Sequence, residues 1–506
     1  MSDDDDATAA SPERIPSGVS GLDTILRGGF FRGGIYMLLA PPGSGKTILA
    51  NQICFRHVAS GGRALYVSLL TESHSRMLSS LQGLAFFDAS VVGTTLSYVT
   101  GYPVLETEKL KGLLALLRKM VRDQKTTFLV IDGFVMLGAL SESEIETKKF
   151  IHELQVFAEL VGCTVLLLTG VNKSDEPYAL RTMVDGLLEM RVDSVGMEAA
   201  RTLEVSKFRG GDMLMGRHLF DISGAGLTIY PRTESLRREA PPPPDSAFKP
   251  AASSGIPGLD RMLGGGLHPE SITMVLGAPG SGKTLLGLSF LCAGAALGEP
   301  CLYFGFFESP ANLGRRADGI GIGLSGHVES GLVDIMWQSP LDAVADALAE
   351  RVLTAVRERG VKRLFIDGLG GFRDSLVYAD RSRRFFGAFC SELRSLGVVT
   401  LLSDQTRTLS DIEFPEHGLT AMLDGVIGLR HLERDSRIHK FVSLLKMREA
   451  GGDPSPREFS IGAKGFDVSA ASKRAKATSS ALPRDRVVSP KKATRSKKKS
   501  TKRRPG

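Results

Sequence analysis

The sequence predicts an α/β fold made twice: two tandem domains, each a mostly parallel sheet flanked by helices. Short runs rich in Val, Ile, Leu and Phe alternate with helix-length segments, the pattern of a parallel sheet covered on both faces. In each half, one such run leads into a glycine-rich loop ending in Gly-Lys-Thr. The halves also repeat each other in order. Ser17-Gly18-Val19-Ser20-Gly21-Leu22-Asp23 returns as Ser254-Gly255-Ile256-Pro257-Gly258-Leu259-Asp260, and Lys46 and Lys283 share the same offset of 237 residues. Asp132 and Asp367 lie 235 apart, Lys207 and Lys446 239. So small a drift over so long a span marks one fold duplicated with minor insertions and deletions.

The strands are read off in order. In the first half they are Tyr36–Ala40, Ala64–Leu69, Phe128–Asp132 and Thr164–Thr169. Their counterparts are Ile272–Gly277, Cys301–Phe306, Arg363–Asp367 and Val399–Ser403. Pro340-Leu341-Asp342 reads as a helix start whose apolar positions continue at helical spacing to Val356. Four successive prolines, Pro241 to Pro244, cannot continue a helix or a central strand and mark a stiff, extended linker. The predicted limits are a disordered acidic N-terminus (1–11), a first domain (12–232), a Pro-rich linker (233–249), a second domain (250–468) and a disordered basic tail (469–506).

Composition agrees with several soluble domains. The chain has 506 residues, 42% hydrophobic and 24% charged, enough to bury large cores and to exclude wholesale disorder. No apolar run approaches the ~18–20 residues of a membrane span. The acidic start, Met1 to Asp6, lacks the apolar core of a secretory signal, so a cytoplasmic location is expected. Cys54, Cys163, Cys292, Cys301 and Cys390 are scattered and without CxxC spacing, which predicts buried reduced thiols. The net charge of +7 is uneven: residues 471–506 carry fourteen Lys/Arg and one Asp, a net of +13, leaving −6 for the rest. The folded part is mildly acidic and the tail strongly basic.

The chemistry sits in the repeated motifs. Gly277-Ala278-Pro279-Gly280-Ser281-Gly282-Lys283-Thr284 matches the phosphate-binding loop G-x-x-x-x-G-K-[ST] in full, between a strand and a helix as that motif requires. Its glycines let backbone N–H groups face phosphates, and the helix N-terminus adds positive potential. Lys283 is expected on the β- and γ-phosphates, and Thr284 on Mg²⁺ through its hydroxyl. The first copy, Ala40-Pro41-Pro42-Gly43-Ser44-Gly45-Lys46-Thr47, has Ala40 for the leading glycine, which is expected to narrow backbone freedom there. Asp132 and Asp367 end apolar strands beside these loops, where a carboxylate orients Mg²⁺. Glu72 and Glu308, each past the strand that follows the loop helix, are the candidates to activate water. Late in each half stand Lys207-Phe208-Arg209 and Lys446-Met447-Arg448. A Lys and an Arg two apart on a strand share a face and place two cations on a γ-phosphate.

Taken together, these residues resemble the KaiC family of RecA-type ATPases. The resemblance covers both halves and includes the Asp185-Gly186 and Asp424-Gly425 turns that precede each Lys-x-Arg. It implies two RecA-like domains, ATP and Mg²⁺ in both, and homo-hexameric double rings with nucleotide at subunit interfaces. It also implies that Lys207, Arg209, Lys446 and Arg448 act on a neighbour's ATP. Two departures stand out. The family carries adjacent glutamates after the second strand, whereas here the pairs read Thr71-Glu72 and Phe307-Glu308, which predicts slow turnover. The family's clock members phosphorylate adjacent Ser and Thr, whereas here Thr420-Ala421 retains one hydroxyl, so Thr420 is the single candidate phosphosite.

The expected function is a signalling ATPase that works as a nucleotide-dependent ring read by an unidentified protein partner, with serine/threonine autokinase activity as a further expectation. The rival is a DNA-handling ATPase of the RecA recombinase kind. It is favoured by the basic tail, which suits non-specific, salt-sensitive nucleic-acid contact, and disfavoured by that tail's lack of aromatic residues for base stacking. A third reading is a scaffold that binds ATP without turnover.

Overall fold

A computed structural model of the chain describes residues 13–70, 74–141, 143–170, 178–236, 250–339, 344–406, 419–434, 437–448, 452–463 and 465–470. Glu72, the proline run 241–244, the helix start at 340–342, the N-terminus 1–11 and the tail beyond 470 lie outside the described residues.

In the first half the strands are β1 (Arg14–Ile15), β2 (Phe30–Phe31), β3 (Ile35–Ala40), β4 (Ala64–Ser68), β5 (Leu96–Thr100), β6 (Phe128–Asp132), β7 (Thr164–Gly170), β8 (Gly186–Val195), β9 (Glu198–Phe208), β10 (Arg217–Ser223) and β11 (Gly226–Tyr230). The second half has β12 (Ile272–Gly277), β13 (Cys301–Gly305), β14 (Val333–Trp337), β15 (Arg363–Asp367), β16 (Val399–Gln405), β17 (Gly425–Arg434), β18 (Arg437–Met447), β19 (Arg457–Gly462) and β20 (Gly465–Val468). β1 and β2 pair with each other.

The others form two nine-stranded sheets, ordered β11-β10-β9-β8-β3-β7-β6-β4-β5 and β14-β13-β15-β16-β12-β17-β18-β19-β20. Read from opposite ends, the two orders are the same. In each sheet the strands from the central one outward on one side are parallel, and the hairpins on the other side are antiparallel. This is the architecture of tandem RecA-like domains.

Alternation along the central strand builds the core. Tyr36, Leu38 and Ala40 of β3 enter one apolar layer, and Ile35, Met37 and Leu39 enter the other. Both layers are covered by helices, so the strand is buried at every position. The same holds for β12. The helix expected from Pro340 is seen over Ala345–Arg359. All five cysteines are buried and unbridged.

The repeated opening motif has a structural task. Asp23 Oδ1 accepts from the Ser17 N–H (2.7 Å), and Asp260 Oδ1 from the Ser254 N–H (2.8 Å) and hydroxyl (2.6 Å). Gly21 has φ 80°, and a Cβ there would stand 2.0 Å from the Ile229 carbonyl oxygen. Only glycine fits where the opening loop crosses β11.

The halves are joined by a buried ionic clamp. Thr233–Ser235, the start of the expected linker, forms a short 3₁₀ turn rather than extended chain. Its Thr233 N–H and hydroxyl both donate to Asp346 Oδ1 (2.9 Å each). Arg381, in the second half, bridges Glu234 (2.8 Å) and Asp346 (2.9 Å). The Arg381 side chain is only 12% exposed, so this contact is shielded from water.

Candidate nucleotide sites at the ends of the central strands

Each central strand runs straight into its phosphate loop and then into a helix, Lys46–Ala59 or Lys283–Ala295. Gly43 and Gly45 have φ of 74° and 98°, and Gly280 and Gly282 of 77° and 103°. These left-handed positions need glycine, and they turn successive N–H groups toward one concavity. Pro42 and Pro279 stand exposed at the loop, while Ser44 and Ser281 are buried beneath it. The Ser44 hydroxyl donates to Pro41 O (2.7 Å). The restriction expected at Ala40 does not arise. Gly277, its counterpart, is not in the left-handed region, and its space is limited by the Ser281 hydroxyl.

Lysine and aspartate meet below each loop, joined in the second half by the loop threonine. Lys46 Nζ lies 3.9 Å from Asp132 Oδ1. Lys283 Nζ donates to Gly277 O (2.7 Å) and Ala278 O (2.9 Å), and burial lowers its pKa. The Thr284 hydroxyl donates to Asp367 Oδ2 (2.8 Å). Thr47 is half-buried at the matching place. Asp132 is 6% exposed, and its Oδ1 has no hydrogen-bond partner among the described residues. A buried carboxylate oxygen without a hydrogen-bond partner, 3.9 Å from the loop lysine, suits a hard cation held mainly by phosphates. No cluster of three His, Cys, Asp or Glu able to hold a metal by itself occurs among the described residues.

Glu308 lies three residues past the C-terminal end of β13, paired with Arg316. It and Arg316 both act electrostatically on the Tyr303 hydroxyl, which itself donates to Asp367. Three further groups at these sites were not read from the sequence. Tyr66 donates to Asp132 Oδ2 (2.7 Å), and Tyr303 to Asp367 Oδ2 (3.0 Å). Ser403 donates to Asp367 Oδ1 (2.6 Å). The repeat was the available signal for the tyrosines, since Tyr66 and Tyr303 share the 237-residue offset of the loop lysines.

The Lys-x-Arg motifs lie elsewhere. Lys207 pairs with Leu187 and Lys446 with Val426, at the ends of β8 and β17 where those strands begin. A bulge interrupts the ladder next to each lysine, a device that re-aims a side chain. The arginines stand one residue past the ends of β9 and β18, and in the second half Lys446 and Arg448 reach carbonyls of the same turn. Arg209 N–H and Arg448 N–H donate to Asp185 O (2.7 Å) and Asp424 O (2.9 Å). Those aspartates in turn accept from Ile35 N–H and Ile272 N–H (2.9 Å each), at the start of each central strand.

Both lysines donate to backbone carbonyls of their own half, and Arg448 both donates to a carbonyl and pairs with Asp424 Oδ1 (3.0 Å). Lys207 Nζ donates to Thr182 O (2.6 Å), Lys446 Nζ to Thr420 O (2.5 Å) and Leu423 O (2.8 Å), and Arg448 to Ala421 O (2.7 Å). Burial, then the adjacent arginine, lowers the pKa of both lysines. Thr420 is half-buried in the short turn Leu419–Met422 that carries these carbonyls. Since Ile35 begins β3 and the loop follows Ala40, the Lys-x-Arg end is about 16 Å of strand away from its own loop.

Two central strands, each ending in a phosphate loop beside a buried carboxylate, define a tandem P-loop ATPase fold. The model for the KaiC ATPase family matches residues 15–234 and 252–473, and the chain belongs to that family. It is similar to the circadian clock oscillator protein KaiC of Thermostichus vulcanus, with 24% identity over 483 residues, covering 91% of this chain and 90% of the relative. It is similar also to the circadian clock protein KaiC3 of Synechocystis sp., with 25% identity over 475 residues, covering 90% and 92%. No described helix is long and apolar enough to cross a membrane.

Proposed function

We propose that this chain is an ATP-driven signalling protein that binds Mg·ATP in both halves, within domains 12–232 and 250–468, and completes each site between subunits of a cytoplasmic hexameric ring. One observation carries the reading: the cation pairs stand about 16 Å of strand from their own loops, at the opposite end of the central strands. Lysines that among the described residues donate only to carbonyls, with burial already lowering their pKa, suit an anion brought by another copy.

In this reading the loop N–H groups and Lys46 or Lys283 hold the phosphates. Magnesium, carried by Thr47 and Asp132 or Thr284 and Asp367, supplies charge neutralisation between the phosphates. Glu72 and Glu308 orient the attacking water. Lys207, Arg209, Lys446 and Arg448 of a neighbour offset the charge that builds on the γ-phosphoryl oxygens as the bond to ADP breaks. With one carboxylate per site and Glu308 engaged by Arg316, turnover is slow. Thr420, on the turn held by Lys446, is the hydroxyl we assign to autophosphorylation. The matched relatives are named for the circadian clock, which supports an output read by a protein partner over a recombinase. Any nucleic-acid contact belongs to the charge of residues 471–506.

Mixing tests the reading. Lys46→Ala/Lys283→Ala protein and Lys207→Ala/Lys446→Ala protein should each form little ADP alone. After subunit exchange, the mixture should recover a substantial fraction of the parental rate, and sizing should show a ring that requires Mg·ATP. Absence of recovery despite demonstrated exchange would overturn it.

A further inference from the structure

The two tyrosines found on the strand-end aspartates form a repeated device. Tyr66 is 0% and Tyr303 1% exposed. Each sits on the strand beside its aspartate, two positions before the residue directly opposite it: Ser68 faces Asp132, and Gly305 faces Asp367. The same diagonal thus delivers a phenol to the same carboxylate in both halves. A buried phenol needs an acceptor, yet packing alone does not dictate that both copies choose this one.

The surroundings of the two aspartates differ. Asp367 is held by three hydroxyls, those of Tyr303, Thr284 and Ser403. The residue matching Ser403 in the first half is Leu168, which faces Asp132 across β6 and β7. Asp132 accepts from Tyr66, and its other oxygen has no hydrogen-bond partner among the described residues and lies 3.9 Å from Lys46 Nζ. A carboxylate on a single short bond swings unless that bond is kept. One on three bonds keeps its place when a single bond is lost.

We infer that Tyr66 and Tyr303 are positioning residues that hold the strand-end carboxylate where the nucleotide's divalent cation meets it, and that the first site depends on its tyrosine more than the second. The inference rests on the proposed Mg·ATP sites. The hydroxyl itself touches neither nucleotide nor cation. It fixes the plane of the carboxylate, as outer hydrogen-bond partners of metal ligands do.

The test uses the full chain with one loop silenced: Tyr66→Phe in Lys283→Ala protein, and Tyr303→Phe in Lys46→Ala protein. Binding of a fluorescent ATP analogue is followed while Mg²⁺ is titrated, and again in EDTA. We expect the Mg²⁺ needed for half-maximal binding to rise on the order of tenfold for Tyr66→Phe and by a clearly smaller factor for Tyr303→Phe. Affinity in EDTA should stay at the parental value. An unchanged Mg²⁺ requirement in both variants, or the reverse ranking, overturns the inference. A purely structural role would lower thermal stability and EDTA affinity and leave the Mg²⁺ requirement in place. If the silenced parents bind no analogue at any Mg²⁺ concentration, the proposed sites themselves fail. Should either phenylalanine variant not fold, wild-type protein with ¹³C at tyrosine Cζ decides. A signal shifted by Mg²⁺ with ATP, but not by ATP in EDTA, supports the role, and no such signal overturns it.

Discussion

His218 is fully buried, and its two ring nitrogens have opposite duties. The Nδ1 atom accepts from the Arg232 N–H (3.0 Å), so Nε2 carries the proton and donates to Leu214 O (3.1 Å). A second proton would point at an N–H. Burial accordingly pushes the His218 pKa down to about 4. The unfolded chain binds that proton near pH 6.5, so between the two values it holds more protons than the native state. Stability from this residue is complete above pH 6.5 and is lost as pH falls toward 4. Replacing His218 with Gln should narrow the gap in unfolding free energy between neutral pH and about pH 4.5 by roughly 2.5 kcal/mol, measured by urea titration at both values. Such a residue is opaque in sequence, because nothing around a lone histidine reveals its tautomer. For Tyr66 and Tyr303 the recurrence was legible but the role was not, because a tyrosine within an apolar strand reads as packing until its hydroxyl has a partner.

At the scale of elements, the short apolar runs were legible and the hairpins were not. β6, β12 and β15 have the predicted limits, and β3, β4, β7, β13 and β16 differ by one or two residues. These strands are buried on both faces, so their sequences are continuous and apolar. β8 and β9 mix buried with half-exposed positions, and the latter carry Arg191, Asp193, Arg201 and Glu204. Half-exposed, charged strands lose the apolar signature, and their length comes from pairing with each other. The clamp between the halves was likewise hidden, since it unites Glu234, Asp346 and Arg381 from three separate segments. Arg381→Ala leaves two carboxylates facing each other away from water. We expect a loss of about 3–5 kcal/mol, seen in calorimetry as one thermal transition splitting into two.

For the whole molecule, duplication was the most legible property, because five motifs recur in order and each tests the others. Composition placed the charge in the tail, and the repeat placed the two sites. What the repeat conceals is how the copies diverge: Leu168 against Ser403 at the aspartate, and a clamp that occurs once because it joins the copies. The clamp's first-half side, the turn Thr233–Ser235, lies ahead of the proline run in the chain and is already fixed to Asp346 and Arg381 of the second half. The spacing of the two lobes is thus set before residues 237–249 begin. Inserting a short Gly/Ser stretch among residues 241–249 should leave the melting temperature and the cooperativity of unfolding unchanged. In Arg381→Ala protein the same insertion should loosen the lobes further. Spacer length is then open to variation over generations, while a single change at the arginine is not.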